Sequence, residues 1–202
     1  MTAQAGDTAP IPSAADSKQL LRRQLQAQRA ALPSRYRHHA AQHCARHALR
    51  ALRLRGCRHV ALYLAYRSEL STAPLIDALL DDGVHVYLPR LVGKQMRLIE
   101  LHADTALQRN RYGIIEPCGS VHARRTQLDA IVMPLTGFDG AGNRLGTGGG
   151  YYDRLLAGSA AQRRPWRLGY AYALQRCDRV SVDRWDIPLH AVCTEHGLQR
   201  FT

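Results

Sequence analysis

The period of the apolar positions changes near residue 59. Before it, Leu21, Leu25 and Leu32 share one helical stripe that Pro33 closes, which predicts a helix over 18–29 capped by Asp16 or Ser17. A second helix starts at Ser34 and gathers Ala40, Ala41, Cys44, Ala48 and Leu52 on its apolar face. His38, His39, His43 and His47 lie elsewhere on that helix. The last two stand four apart, as metal ligands can, but no acid or cysteine joins them, so the face reads as solvated and no metal is assigned there.

From residue 59 onward, short apolar runs alternate with turn residues at 59–65, 84–88, 96–101, 128–133 and 168–173, and these predict strands. Between the first two, 71–82 carries a helical pattern with Ser71 or Thr72 as cap and Gly83 as stop. A strand, helix, strand unit makes a parallel pair. The expected fold is therefore α/β: a single domain whose central, largely parallel sheet is flanked by helices, with an N-terminal helical pair. A length of 202 residues suits one core of ordinary size. Residues 1–17 are expected to form a flexible leader ahead of a single domain over 18–202, because they hold neither a basic residue nor a continuous apolar stretch.

Composition narrows the classes. With 46% hydrophobic and 22% charged residues and a mean hydropathy of −0.31, the chain resembles neither a disordered nor a membrane protein. Five cysteines, odd in number and never in a C-x-x-C pair, point to reduced thiols and a cytoplasmic setting. The net charge of +12 calls for anionic partners. All the basic residues except Lys18 and Lys94 are arginines, scattered along the chain, and aromatics make up only 6%; nucleic acid is thus not expected as primary ligand, nor is a membrane.

The densest chemical signal lies between the strand ending near Pro134 and a helix expected near Tyr151. Gly140, Gly142, Gly146, Gly148, Gly149 and Gly150 crowd into this connection. Glycine lets backbone N–H groups turn onto a ligand, and a helix N-terminus adds partial positive charge, so phosphate is the natural guest. Arg144 supplies a planar cation, and Asp153 a hard oxygen ligand for the magnesium that accompanies nucleoside triphosphates. Neither G-x-x-x-x-G-K-[ST] nor G-x-G-x-x-G is present.

The run Gly142-Asn-Arg-Leu-Gly-Thr-Gly-Gly-Gly-Tyr-Tyr-Asp-Arg154 resembles the ATP loop of the 5-formyltetrahydrofolate cyclo-ligases nearly residue for residue. The resemblance runs in order from Lys18 to the end, through Lys18-Gln-Leu-Leu-Arg22, Glu69-Leu-Ser-Thr72, Tyr87-Leu-Pro89, Met96, Tyr112-Gly-Ile-Ile-Glu-Pro117 and Trp185-Asp186. Thr147, Gly149 and His190 depart from the residues usual in that family.

The resemblance implies an ATP-dependent ligase that forms a C–N bond. ATP would be held by Lys18, Gln19, Leu20, Leu21, Arg22, Arg144, Leu145, Gly146, Thr147, Gly148, Gly149, Gly150, Tyr151 and Tyr152, with Arg144 and Tyr152 as catalytic groups. The folate substrate, polyglutamylated or not, would meet Leu64, Glu69, Met96, Tyr112 and Tyr151, while Asp153 and Asp186 would hold Mg2+. Taken singly, Glu69 is also an ordinary helix-leading acid, Met96 and Tyr112 ordinary core, Asp186 a turn residue and Lys18 a solvated charge. The competing reading is a phosphate- or nucleotide-binding α/β protein without this activity.

Overall fold

The computed structural model describes residues 14–119 and 122–201. The chain runs through α1 (Ala14–Ala30), α2 (Ser34–Leu54), β1 (His59–Ala61), α3 (Ala73–Asp81), β2 (His85–Val92), β3 (Gln95–Glu100), β4 (Leu107–Arg109), β5 (Ile115–Pro117), β6 (His122–Ala123), β7 (Ala130–Met133), β8 (Gly137–Phe138), β9 (Arg144–Leu145), α4 (Tyr151–Leu155), β10 (Trp166–Tyr170), β11 (Ala191–Thr194) and β12 (Gly197–Arg200).

Eight strands form one sheet in the order β12-β11-β10-β7-β1-β2-β3-β6. The five from β11 to β2 are parallel, and β12, β3 and β6 extend the edges antiparallel. The chain leaves β1 toward β2 and β3, then returns to lay β7 on the other side of β1. This reversal makes the carboxyl ends of β1 and β7 the switch point, where open α/β sheets bind ligands.

Both faces of the sheet are covered, so its strands are apolar at successive positions. Val60, Val86, Ala130 and Val132 pack on one face with Ala40, Cys44, Ala48 and Leu52 of α2 and Leu75 and Leu79 of α3. Ala61, Tyr87, Ile131 and Met133 point the opposite way, against Phe138, Leu156 and Leu189. Small alanines let α2 lie close to the sheet, and each fully buried leucine contributes about 1.5–3 kcal/mol.

The structure moves several predicted boundaries. The first helix begins at Ala14, which places Asp16 inside its first turn and not at its cap; 14–17 are thus helical, and 1–13 of the expected leader lie outside the described residues. Thr72 precedes α3 without capping it, because its Oγ1 donates to the Tyr63 carbonyl and fastens the helix to the loop beyond β1. The predicted strand over 59–65 ends at Ala61, and beyond it Tyr63 and Leu64 line the crevice. The β8–β9 hairpin and the β11–β12 pair have no counterpart in the predicted elements. Arg167 on β10 is 2% exposed, and its guanidinium donates to the carbonyls of Ser159, Ala160, Gln162 and Pro188, tying two loops to the sheet.

Candidate functional site

A cavity of about 1690 Å³ opens at the switch point. The loop after β1 supplies Leu64 and Glu69, β3 supplies Met96, the β4–β5 connection Tyr112, and α1 Lys18 and Arg22. Arg144 and Leu145 of β9, residues 146–150, Tyr151, Tyr152 and Asp153 of α4, and Asp186 complete the lining.

The glycine-rich connection divides into two parts with different work. Gly140 and Gly142 belong to the turn of the β8–β9 hairpin, which Asp139 closes by accepting from the Ala141 and Asn143 N–H groups, the Asn143 amide and the Val180 N–H. Burial pushes the Asp139 carboxyl up, but these hydrogen bonds hold it below the usual carboxylate value. At Gly142, φ is +83° and a Cβ would stand 2.8 Å from the Phe201 ring, so packing as well as backbone demands glycine. Of the six glycines, Gly146, Gly148, Gly149 and Gly150 line the cavity, with Gly148 at φ +106° and Gly150 at φ +64°. The helix that follows has five residues, so it is a single turn and adds little dipole.

Other segments hold this loop in place. Arg22 Nε donates to the Gly146 carbonyl at 2.9 Å. Arg154 reaches the Gly149 carbonyl at 2.7 Å and the Lys94 carbonyl at 2.8 Å, linking the loop to the β2–β3 turn. Arg144 stands on β9 at the base of the loop. Its Nη2 donates to Asp153 Oδ1 at 2.6 Å, its guanidinium lies 5.8 Å from the Tyr152 ring centroid, and its buried Nε has no hydrogen-bond partner. A buried guanidinium N–H without a partner, on the wall of a cavity, is a donor waiting for an anion.

Cations and carboxylates pair across this end of the cavity. Lys18 Nζ donates to Asp183 Oδ2 at 2.6 Å and to Asp186 Oδ2 at 3.1 Å. Burial pulls the Lys18 ammonium down, but the hydrogen bonds to Asp183 and Asp186 outweigh it and raise it above the ordinary lysine value. Asp153 is engaged by Arg144, and its Oδ1 lies 3.5 Å from the Ile187 N–H, next to Asp186. Among the described residues no three His, Cys, Asp or Glu side chains gather as a metal cage. Asp153 and Asp186, two of the carboxylates that line the cavity, are of the chemistry that the other common arrangement uses, a Mg2+ held by one or two acids and completed by phosphates and water.

Glu69 and Tyr66, on the loop after β1, form another part of the lining. Glu69 Oε2 accepts from the Tyr66 N–H at 3.0 Å, and burial raises its carboxyl above the usual value against that hydrogen bond and Arg29. Tyr66 Oη donates to the Tyr112 carbonyl at 2.9 Å, which joins two of the segments around this part. Burial, with nearby Glu69, drives the Tyr152 hydroxyl far above the ordinary tyrosine value, so it stays a neutral donor.

Of the residues expected at the site, Gln19, Leu20 and Leu21 do not line the cavity. Gln19 and Leu20 are solvent-exposed, and Leu21 packs with Leu25, Leu145 and Val180. Within 18–22, Lys18 and Arg22, one turn apart, line the cavity, and Gln26, Ala27, Arg29 and Ala30 continue that side of α1. Sequence reasoning assigned no role to Asp183, because it is brought to Lys18 by tertiary folding over a separation of 165 residues, nor to the exposed Trp185 beside it.

The model of the 5-formyltetrahydrofolate cyclo-ligase family matches residues 14–195. A Haemophilus influenzae protein named 5-formyltetrahydrofolate cyclo-ligase is 33% identical over 183 residues, covering 85% of this chain and 94% of that protein. One of the same name from Escherichia coli is 39% identical over 140 residues, covering 67% and 76%. The NMR structure of Aquifex aeolicus 5,10-methenyltetrahydrofolate synthetase superposes with a TM-score of 0.74 at 29% identity, covering 91% of this chain and 92% of that one.

Proposed function

The chain belongs to the 5-formyltetrahydrofolate cyclo-ligase family, and on that premise we propose that it converts 5-formyltetrahydrofolate to 5,10-methenyltetrahydrofolate with ATP as co-substrate, releasing ADP and phosphate. One observation carries the reading: the cation-rich glycine loop and the Glu69 end line the same cavity. A protein that only bound nucleotide would have no use for the second end.

A formamide is a poor electrophile. Transfer of the γ-phosphoryl group to the formyl oxygen turns that oxygen into a leaving group. The lone pair of the neighbouring bridge nitrogen then attacks the formyl carbon, the nitrogen loses its proton, and the C–O bond breaks as phosphate departs. Little covalent work falls to the protein; it positions the reactants and neutralises charge.

Lys18, Arg22 and the N–H groups of 146–150 take the phosphates, and Arg144 meets the transferring group with its unpartnered Nε. Glu69 accepts from the polar edge of the pterin, with Leu64, Met96, Tyr112 and Tyr151 around it. Tyr152 donates from its neutral hydroxyl. Asp153 and Asp186 are the residues that would hold Mg2+, which supplies charge neutralisation on the phosphates. The same domain, 18–202, carries both ligands.

The test is the absorbance of the methenyl product when purified protein meets 5-formyltetrahydrofolate, ATP and magnesium. Product must appear with all three and not when ATP is left out; equal turnover without ATP contradicts the reading.

A further inference from the structure

The cavity contains cations that already have anions. Lys18 carries two, and they differ. Asp186 Oδ2 also accepts the Asp183 backbone N–H at 2.9 Å, and the Asp186 N–H returns to the Asp183 carbonyl at 2.9 Å, so the Asp186 carboxylate is built into its own turn. The Asp183 carboxylate has no such duty. Its one hydrogen bond among the described residues is to Lys18, and its side chain is 45% exposed, against 23% for Asp186 and 12% for Lys18.

A largely desolvated ammonium needs a partner, and an exposed carboxylate is a partner easily released. We propose that Asp183 is a displaceable counter-ion of Lys18, an affinity-determining residue that holds the ammonium while the cavity is empty and gives it up to the phosphate chain of ATP. The inference rests on the reading that Lys18 takes phosphate, and it assigns Asp183 a role that the phosphate-binding residues themselves do not have.

Two consequences follow from the exchange. Nucleotide affinity is lower than the cations alone would give, because each binding event must break the Lys18–Asp183 pair. Ligands with a short, weakly charged phosphate group are disfavoured, since a single phosphate competes poorly with two carboxylates for one ammonium. Asp183 thus favours triphosphate over monophosphate.

Asp183→Asn keeps the side-chain oxygen that Lys18 needs for a hydrogen bond and removes only the charge, so the turn stays intact. The experiment measures ATP and AMP binding by calorimetry in EDTA, without metal or folate, for the wild-type chain, Asp183→Asn, Lys18→Gln and the double variant. Removing a partly screened charge near a surface alters affinity by about three- to tenfold. ATP is expected to bind tighter by that factor in Asp183→Asn, AMP to gain proportionally more, and the gain to vanish in the Lys18→Gln background. A gain of equal size in that background shows plain repulsion of phosphate by Asp183 and overturns the exchange, as does unchanged or weaker ATP binding in Asp183→Asn. Lys18→Gln binding ATP as tightly as the wild type would instead remove the phosphate reading of Lys18, and this inference with it.

Discussion

Arg144 and Glu69 show how burial changes what a charged side chain can do. Arg144 has one N–H on Asp153 and a buried Nε with no partner, and its side chain lines the cavity. Arg144→Ala is expected to lower kcat by about thirty- to a thousandfold, from about 2–4 kcal/mol of lost charge-assisted contact, with kcat/KM falling equally and KM for ATP nearly constant. Arg144→Lys should recover only part, because an ammonium cannot reproduce a planar fork. A KM defect with intact kcat in steady-state kinetics would make Arg144 a ground-state clamp. Glu69 is the reverse case, an acid whose burial raises its carboxyl. The native state then holds the proton more tightly than the unfolded chain, so the group favours folding below its unfolded value and loses that contribution as pH rises through its folded value. Glu69→Gln should therefore raise the Tm of the ligand-free protein at neutral pH by about 1–4 °C while weakening folate binding and sparing ATP. An unchanged folate KM and kcat would return Glu69 to the role of an ordinary buried acid.

Among the elements, the glycine-rich connection teaches most, because one stretch of sequence serves two structures. Gly142 secures the hairpin that carries Arg144, whereas Gly148 faces the cavity. Gly142→Ala combines a positive φ with a contact of 2.8 Å to Phe201 and should cost about 2–4 kcal/mol of stability, measured by urea unfolding. Gly148→Ala meets no clash and should cost about 1 kcal/mol, with its larger effect on KM for ATP. Equal loss of stability in both would refute the division. The same stretch marks where the sequence stops being legible. Composition located a glycine loop that lines the cavity, but turn glycines and cavity glycines look alike in sequence, and the Asp139 hydrogen bonds separate them. The parallel strands and α2 were readable because burial on two faces, or on one helical stripe, writes a period into the chain. The parallel strand β11 and its antiparallel neighbour β12 were not predicted, although they are no shorter than β1 and β7; β12 carries a single apolar side chain, Leu198, and so no apolar run. On α1, the helix turns Gln19, Leu20 and Leu21 away from the face that Lys18 and Arg22 share, which spacing along a single run does not display.

At the scale of the whole molecule, the sheet sets the chemistry by bringing distant segments to one switch point: Lys18, Glu69, Arg144 and Asp186 meet there from four parts of the chain. Acid stability belongs to this scale too. His190 accepts the Arg167 N–H through Nδ1 at 3.0 Å, and burial, with Arg167 and Arg55, lowers its ring to about 4. Against an unfolded value near 6.5, the fold refuses a proton that the unfolded chain binds, so stability is full above about pH 6.5 and is lost as pH falls toward 4. Urea midpoints across that window should fall less steeply in His190→Asn than in the wild type, and parallel slopes would remove His190 as a source. The net charge of +12 matches two anionic ligands, but charge does not specify how they react. The central claim is that one cavity joins γ-phosphoryl transfer to activation of the formyl oxygen, and oxygen tracing tests it most directly. With 18O in the formyl group of the substrate and ordinary ATP and water, mass spectrometry of the released phosphate should find one labelled oxygen per methenyl product formed. Unlabelled phosphate, with the label passing to water, would contradict the account.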